Sequence, residues 1–557
     1  MKNYALTAIL YIIFVQCSPK KQAIPRVQQW TTHEITLEAV NIYQNPYIDI
    51  AIAATFVSDK GDSLVRPAFW DGGNKWKIRF TPPDTGSVWT WNTHASVADK
   101  GLANQHGELK SVVLYTGNNT LLKHGLLRMS PQKRNIVHQD GTPFLVTADT
   151  PWGIPFRATI EQVNLYANDR QQKGFNMALL MSVQPDRYAE GPEARDSIFA
   201  FDRAFEDLPE GHLNILKPDY FQYVDSLMNI LIAHGIVPVY QPVFHGFGWK
   251  GKTVAGTTAV PEEYIRYCRY LIARYGSMPA CWLVSADGTG LDPAIKPAGE
   301  AIEQWDCYGQ PTGIHYNPAD NYLASWAQGD STKCFHYNRS HQAEPWLDFQ
   351  WAQTGHDGTH ITYKVEQMYQ NIPVKAVLNG EPTYEGMGGG KLGLGSWQGE
   401  EAWTQLMHGG TMGVVYGAAG LWQWKVKIDE QGWGMWTDQP VSWREGLALE
   451  GSKYVGLVAK AFQGYDFADM QKRWDLTDGN KPLLAKEGIF YISYLPTGGS
   501  IGIKQLPAGI QYRWFNPKTG EFVNVGTVTQ AIHTIFTAPD TNPWVLIVGK
   551  QNNSDLL

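Results

Sequence analysis

Three rhythms of apolar and polar positions follow one another along the chain. From about Val27 to Leu114 they alternate with period two in short runs, 49–56, 76–80 and 88–92, set apart by turn clusters such as Ser58-Asp-Lys-Gly61, Asp71-Gly-Gly73 and Pro83-Asp-Thr-Gly86. Alternation of that kind buries one face of a strand and wets the other, which predicts an antiparallel β-sandwich of immunoglobulin-like size. After Gly125 the pattern changes to an apolar run, a loop, then a stretch with helical period. Thr159 with Gln162 three residues later reads as a capping box, Phe221, Val224, Leu227 and Leu231 line one helical face, and Pro261 starts a further helix.

The strands that this middle region predicts are 143–149, 177–183, 236–240, 281–287, 312–316, 347–353, the run ending at Glu381, and 413–416. Eight such units alternating with helices imply a closed parallel barrel, because a parallel strand needs a crossover and a buried parallel sheet needs both faces covered. From about Ala468 period two returns, in 489–494, 511–515 and 544–548, and predicts a second small sandwich. The expected architecture is therefore α/β: a (β/α)8 TIM barrel at 120–464, flanked by an amino-terminal sandwich at 26–115 and a carboxy-terminal one at 466–550.

Residues 1–22 stand outside this plan. Lys2 precedes an apolar run from Ala5 to Val15, too short to span a bilayer, and Cys17-Ser-Pro-Lys-Lys follows at once. The run resembles a bacterial lipoprotein signal with Cys17 as the lipidated residue, although Gln16 stands where that signal has a small residue. The expectation is an exported protein, periplasmic or on the cell surface, with membrane contact only through a lipid anchor at Cys17. A net charge of −7 speaks against a nucleic-acid partner. The 22 tryptophans and 27 tyrosines exceed what a core needs and suit the apolar faces of sugar rings. Cys268, Cys281, Cys307 and Cys334 show no paired spacing that would imply a disulfide framework.

Chemistry concentrates at the ends of the predicted strands. In Asn379-Gly-Glu381-Pro-Thr-Tyr-Glu385 the proline stops the strand and leaves Glu381 at its carboxyl end, where barrel enzymes carry their reactive groups. Asp287 ends the fourth strand in the same way, within Ser285-Ala-Asp-Gly-Thr-Gly290. Two carboxylates on facing loops are what glycosidic cleavage requires, one to protonate the leaving oxygen and one for the anomeric carbon; buried salt bridges or caps are the alternative. Other strand ends add candidate substrate-binding groups: Asp149 and Trp152, Gln184 with Asp186, His245 and Trp249, His315 and Tyr316, Gln353 and His356, Tyr384, and Trp422 with Trp424. Glu385 is a second-choice acid, better suited to capping. Gly246-Phe-Gly-Trp-Lys-Gly-Lys-Thr253 matches the phosphate-loop pattern, but no helix follows it directly, so it is set aside. His336 and His341 lack metal-ligand spacing and there is no HExxH, so neither a catalytic metal nor another cofactor is expected.

These residues converge on a family. Asn379-Gly-Glu-Pro-Thr-Tyr-Glu-Gly386, with Asp149-Thr-Pro-Trp152 and Gly420-Leu-Trp-Gln-Trp424, resembles the apiosidase-like bacterial glycoside hydrolases. Asn45-Pro-Tyr47 and Gly86-Ser-Val-Trp89 look like the sandwich that precedes that barrel, and Trp514-Phe-Asn-Pro-Lys-Thr-Gly520 like the small domain named for collagen binding. The resemblance implies Asp287 as acid/base and Glu381 as nucleophile of a retaining hydrolase. One departure is that Ser285-Ala286 stand where the family has Gly-Gly before the acid. The function expected is cleavage of a plant or algal polysaccharide or derived oligosaccharide. The alternative is a non-catalytic carbohydrate- or matrix-binding surface lipoprotein.

Overall fold

The computed structural model describes residues 24–111, 113–185, 203–246, 254–256, 259–317, 340–426, 441–529 and 532–551. Its centre is one parallel sheet of eight strands: β1 (Val146–Asp149), β2 (Met177–Met181), β3 (Val237–Gln241), β4 (Cys281–Gly288), β5 (Thr312–Tyr316), β6 (Phe349–Gln353), β7 (Ala376–Glu381) and β8 (Gly413–Tyr416). Neighbours pair in the order β7-β6-β5-β4-β3-β2-β1-β8. The sheet curls shut between β7 and β8, where the Met412 N–H donates to Val377 O at 3.1 Å and Glu385 bridges in parallel to Ala418. Every residue of all eight strands is buried, which is why their sequences read as near-continuous apolar runs. The expected (β/α)8 barrel with a sandwich at each end is the observed fold.

The helices pack outside: α1 (Ile160–Gln172), α2 (Pro218–Ala233), α3 (Pro261–Tyr275), α4 (Ile295–Trp305), α5 (Tyr363–Gln370), α6 (Ser396–Met407) and α7 (Gly451–Phe462). Thr159 and Gln162 form the capping box at the start of α1, satisfying two backbone donors that the first turn leaves open. Proline at the first position sets the φ at the starts of α2 and α3, and Gly235 ends α2 at φ +75°.

The amino-terminal sandwich pairs a five-stranded with a three-stranded sheet around Phe56, Trp76, Ile78, Phe80 and Trp89. Its strand expected at 49–56 lies at Ile52–Ser58 instead. Pro46 opens a helical turn, Pro46–Asp49, and the Asp49 carboxylate accepts from the Asn45 N–H at 2.9 Å, so Asp49 belongs to that turn. This sandwich has its own core, sends Tyr47 and Phe69 against Tyr270 in the barrel's apolar cluster, and adds a charged contact. Arg79 reaches Asp225 of α2 at 2.6 Å, Arg274 of α3 forks onto the same carboxylate at 2.8 Å and holds Asp71 at 3.0 Å, and Arg66 donates to Ile272 O at 2.9 Å.

The carboxy-terminal sandwich has a six-stranded and a two-stranded sheet. Phe490, Ile492, Tyr494, Phe515, Val545 and Ile547 from it merge with the barrel core in one apolar cluster. Trp403 of α6 stacks near Tyr494 and near Phe462 of α7 with interplanar angles of 24° and 17°, and Phe490 packs on Phe462 and Tyr465.

Candidate active site

Asp287 and Glu381 end β4 and β7, and both strand ends depart from regular pairing. The β4–β5 ladder shifts register between Leu283 and Ser285 and again between Ala286 and Gly288; the β6–β7 ladder shifts at Ala352–Gln353, opposite Gly380. Such irregularities bend a strand and re-aim its side chains. At Asp287 the bend reaches the left-handed region, φ +53°, which costs a non-glycine residue about 1–3 kcal/mol and persists only where the surroundings enforce it. The Asp287 N–H donates to Nδ1 of His315 at 3.2 Å. A methyl group on Gly246 would overlap Asp287 Oδ2, so the carboxylate lies against the Gly246 α-carbon. Gly288 is equally confined, its Cβ position falling 2.8 Å from that of His245. The glycines around the acid thus admit the protein's own side chains.

Glu381 is bonded to one histidine and faced by a second. His356 Nε2 lies 2.9 Å from Oε1, and His315 Nε2 lies 3.5 Å from Oε2. His356 Nδ1 accepts the Tyr384 N–H at 3.3 Å, which leaves the proton on Nε2, where it donates to Glu381. Thr383 fixes the His356 loop from below: its hydroxyl accepts from the Gly358 N–H at 3.0 Å and donates to Gly355 O at 3.1 Å.

The Tyr384 phenol joins the group, accepting from Trp152 Nε1 at 3.0 Å. Burial first, then the Glu381 carboxylate, drives its pKa well above the ordinary value, so it remains a neutral phenol. The rings of Trp152 and His315 lie 5.9 Å apart, and those of Tyr384 and Trp422 6.5 Å. His245 is buried beside Asp287, with burial lowering its pKa against the pull of Asp292 and the Val243 carbonyl.

The structure therefore gathers Asp287, Glu381, Trp152, His245, His315, His356, Tyr384 and Trp422 at one end of the barrel. Three other expected residues serve packing. Asp149 is fully buried with Arg170 Nε of α1 on Oδ2 at 2.5 Å and the Thr150 N–H on Oδ1 at 2.8 Å. Tyr316 donates to Ser340 O at 2.9 Å and accepts from Gln350 at 3.1 Å. Trp424 is buried against Trp443, 4.9 Å between stacked rings, with Nε1 donating to Gln162 at 2.8 Å. Gln184 is buried at the end of β2, and the Gln353 carbonyl takes the Lys364 ammonium at 3.0 Å. Trp249, Asp186, His336, Cys17 with the rest of residues 1–22, and most of the phosphate-loop-like run lie outside the described residues.

Glu385 is a clasp. One oxygen accepts from the Gly395 N–H at 2.8 Å; the other takes the Tyr416 hydroxyl of β8 at 2.6 Å and the Gly451 N–H, at the start of α7, at 2.8 Å. Burial raises its pKa in spite of those donors. Sequence reasoning missed Thr150, Thr383 and the confined glycines Gly246 and Gly380; the Asn-Gly-Glu run was the visible sign of the last.

A family profile described as the apiosidase-like catalytic domain matches residues 130–469. A domain of unknown function, DUF5060, matches 26–96, and a domain described as collagen-binding, of a collagenase, matches 475–549. A search of functionally curated proteins finds no match. Among solved structures, one described as a glycoside hydrolase from Bacteroides vulgatus ATCC 8482 superposes with a TM-score of 0.67 at 17% identity, over 94% of this chain and 99% of its own. A family 5 glycoside hydrolase of the same organism gives 0.60 at 17% identity, over 77% and 94%. At that identity the likeness is one of fold.

Proposed function

The chain belongs to the apiosidase-like glycoside hydrolases and is a glycosidase, and from that premise we propose the finer reading: an exported enzyme, lipid-anchored through Cys17, that cleaves a plant or algal polysaccharide or a derived oligosaccharide with retention of configuration. The observation that carries it is the hydrogen bond of His356 to Glu381, with His315 facing the other oxygen at 3.5 Å, beside an Asp287 held in a strained turn. Hydrogen bonds to a carboxylate favour its charged form, which is the form a nucleophile needs.

In this reading Asp287, protonated, gives its proton to the glycosidic oxygen as Glu381 attacks the anomeric carbon. The bond to the leaving sugar breaks and a glycosyl ester forms on Glu381. Asp287, now a carboxylate, takes a proton from water while the water oxygen attacks the same carbon, and Glu381 leaves. Trp152, Trp422 and Tyr384 offer the apolar faces and the hydroxyl that seat the sugar.

A panel of plant and algal oligosaccharides, read by reducing-sugar release, identifies the substrate. Glu381→Gln is expected to fold and to lose activity on every substrate, roughly 10³-fold or more, and Asp287→Asn to lose it mainly where the leaving group needs a proton. Proton NMR of the first product gives the anomer. Release of the opposite anomer, near-wild-type turnover of Glu381→Gln, or binding without cleavage across the panel each overturns the reading.

A further inference from the structure

One side chain touches both halves of the reaction just described. His315 on β5 is fully buried; its Nδ1 accepts the Asp287 N–H at 3.2 Å, and its Nε2 faces Glu381 Oε2 at 3.5 Å. The ring cannot turn aside. A Cβ on Gly380 would come within 2.9 Å of its Cδ2, and the Trp152 ring covers it at 5.9 Å. We propose that His315 is a positioning residue that couples the two carboxylates, holding the Asp287 main chain through one ring nitrogen and orienting Glu381 through the other. This rests on the roles assigned above to Asp287 and Glu381.

The bent backbone at Asp287 turns its N–H out of the ladder, and a buried N–H without a partner is costly, so the lone pair on Nδ1 sustains the left-handed conformation. An imidazole accepting at Nδ1 carries its proton on Nε2, the edge toward Glu381. An imidazolium would have no lone pair left for Asp287. Burial disfavours that form and pushes the pKa down to about 4, with the Glu381 carboxylate opposing and His356 assisting. The titratable groups facing this pair are His356 from the loop after β6, Tyr384 from the loop after β7 and Asp287 from β4. At 3.5 Å the contact to Glu381 is longer than a hydrogen bond, as such contacts often are before substrate arrives.

Two substitutions separate the two arms. Asparagine places an amide oxygen near the Nδ1 position and keeps the acceptor for Asp287; glutamine places an amide N–H near Nε2 and keeps the donor for Glu381. The probes are the 2,4-dinitrophenyl and the methyl glycoside of the sugar that the wild-type enzyme releases. His315→Gln is expected to lose roughly 10²-fold on the methyl glycoside and little on the dinitrophenyl one, whose leaving group needs no proton. His315→Asn is expected to lose roughly 10-fold on both and to move the acidic limb of kcat/KM upward, since Glu381 loses a donor to its charged form. The ratio between the two probes does not depend on how much of each variant folds. In the 15N-histidine-labelled full chain, the signal that disappears in His315→Asn should show the neutral Nε2–H form from pH 5 to 8. An Nδ1–H or charged ring, or one common loss on both probes with an unmoved limb, overturns the coupling. If Glu381→Gln or Asp287→Asn keeps full turnover, the assignment of the carboxylates fails instead.

Discussion

The amino-terminal sandwich meets the barrel through a buried guanidinium–carboxylate network set beside Tyr47 and Phe69, whereas the carboxy-terminal sandwich meets it mainly through a broad set of apolar side chains. In the first contact Asp225 is shared by Arg79 and Arg274, and of that sandwich's buried side chains Tyr47 and Phe69 enter the barrel's apolar cluster. In the second, Phe490 and Tyr494 continue the core of the barrel itself. Charged hydrogen bonds are directional, so the first contact fixes the angle of α2 and α3; apolar contact is non-directional and fixes mainly distance. The two also support different carboxylates. Helix α3 feeds β4, which ends in Asp287, while α6 and α7 flank β7 and β8, beside Glu381.

The largest break in this contrast should come from Asp225→Ala, which leaves Arg79 and Arg274 facing each other without their shared counter-charge. Removing one member of a buried ion network costs roughly 3–5 kcal/mol. Urea unfolding should show that loss, and proteolysis should release the amino-terminal sandwich first; a loss below about 1 kcal/mol would mean the network is incidental. Acid should do part of the same. Burial alone would raise the Asp225 pKa, but Arg274 and Arg79 outweigh it and hold it below the usual carboxylate range. Its contribution is therefore complete above the unfolded value of about 3.9 and is lost as the pH falls through the lower folded value. Hydrogen exchange near pH 3 should rise at the amino-terminal contact before the carboxy-terminal one. Phe490→Leu keeps most of the apolar volume and should cost under about 1.5 kcal/mol, unchanged between low and high salt. Smallest of all, Lys77→Met removes pairs to Glu34 and Asp71 by a side chain 24% exposed, and should cost about 0.2–1 kcal/mol, less in high salt.

How far the sequence reaches depends on what each residue packs against. Strands buried on both faces were legible to the residue, as at Thr312–Tyr316 and Gly413–Tyr416. Phe522–Thr527 was not: it is an edge strand whose Asn524 and Val525 are both exposed, so no alternation marks it. In the site, rim position was legible but direction was not. His315 and Tyr316 are neighbours at the end of one strand, yet one faces Glu381 and the other Ser340. Side chains alternate between the inside of the barrel and its helix layer, so a shift of one residue exchanges their roles. Asp149 fell on the helix side, where Arg170 waits. His356 was found from its strand, but its bond to Glu381 depends on a loop pinned by Thr383, a contact far from any periodic pattern.

Glu385 bears on how such an enzyme can change. Its carboxylate ties the chain after β7 to Gly395, ten residues on, and to β8 and the first turn of α7, farther along the chain. Lengthening that connection would pull at least one of the three donors away from a buried charge, so insertions should be rejected there whatever sugar they might favour. A library designed to retarget this barrel should therefore leave 381–395 untouched.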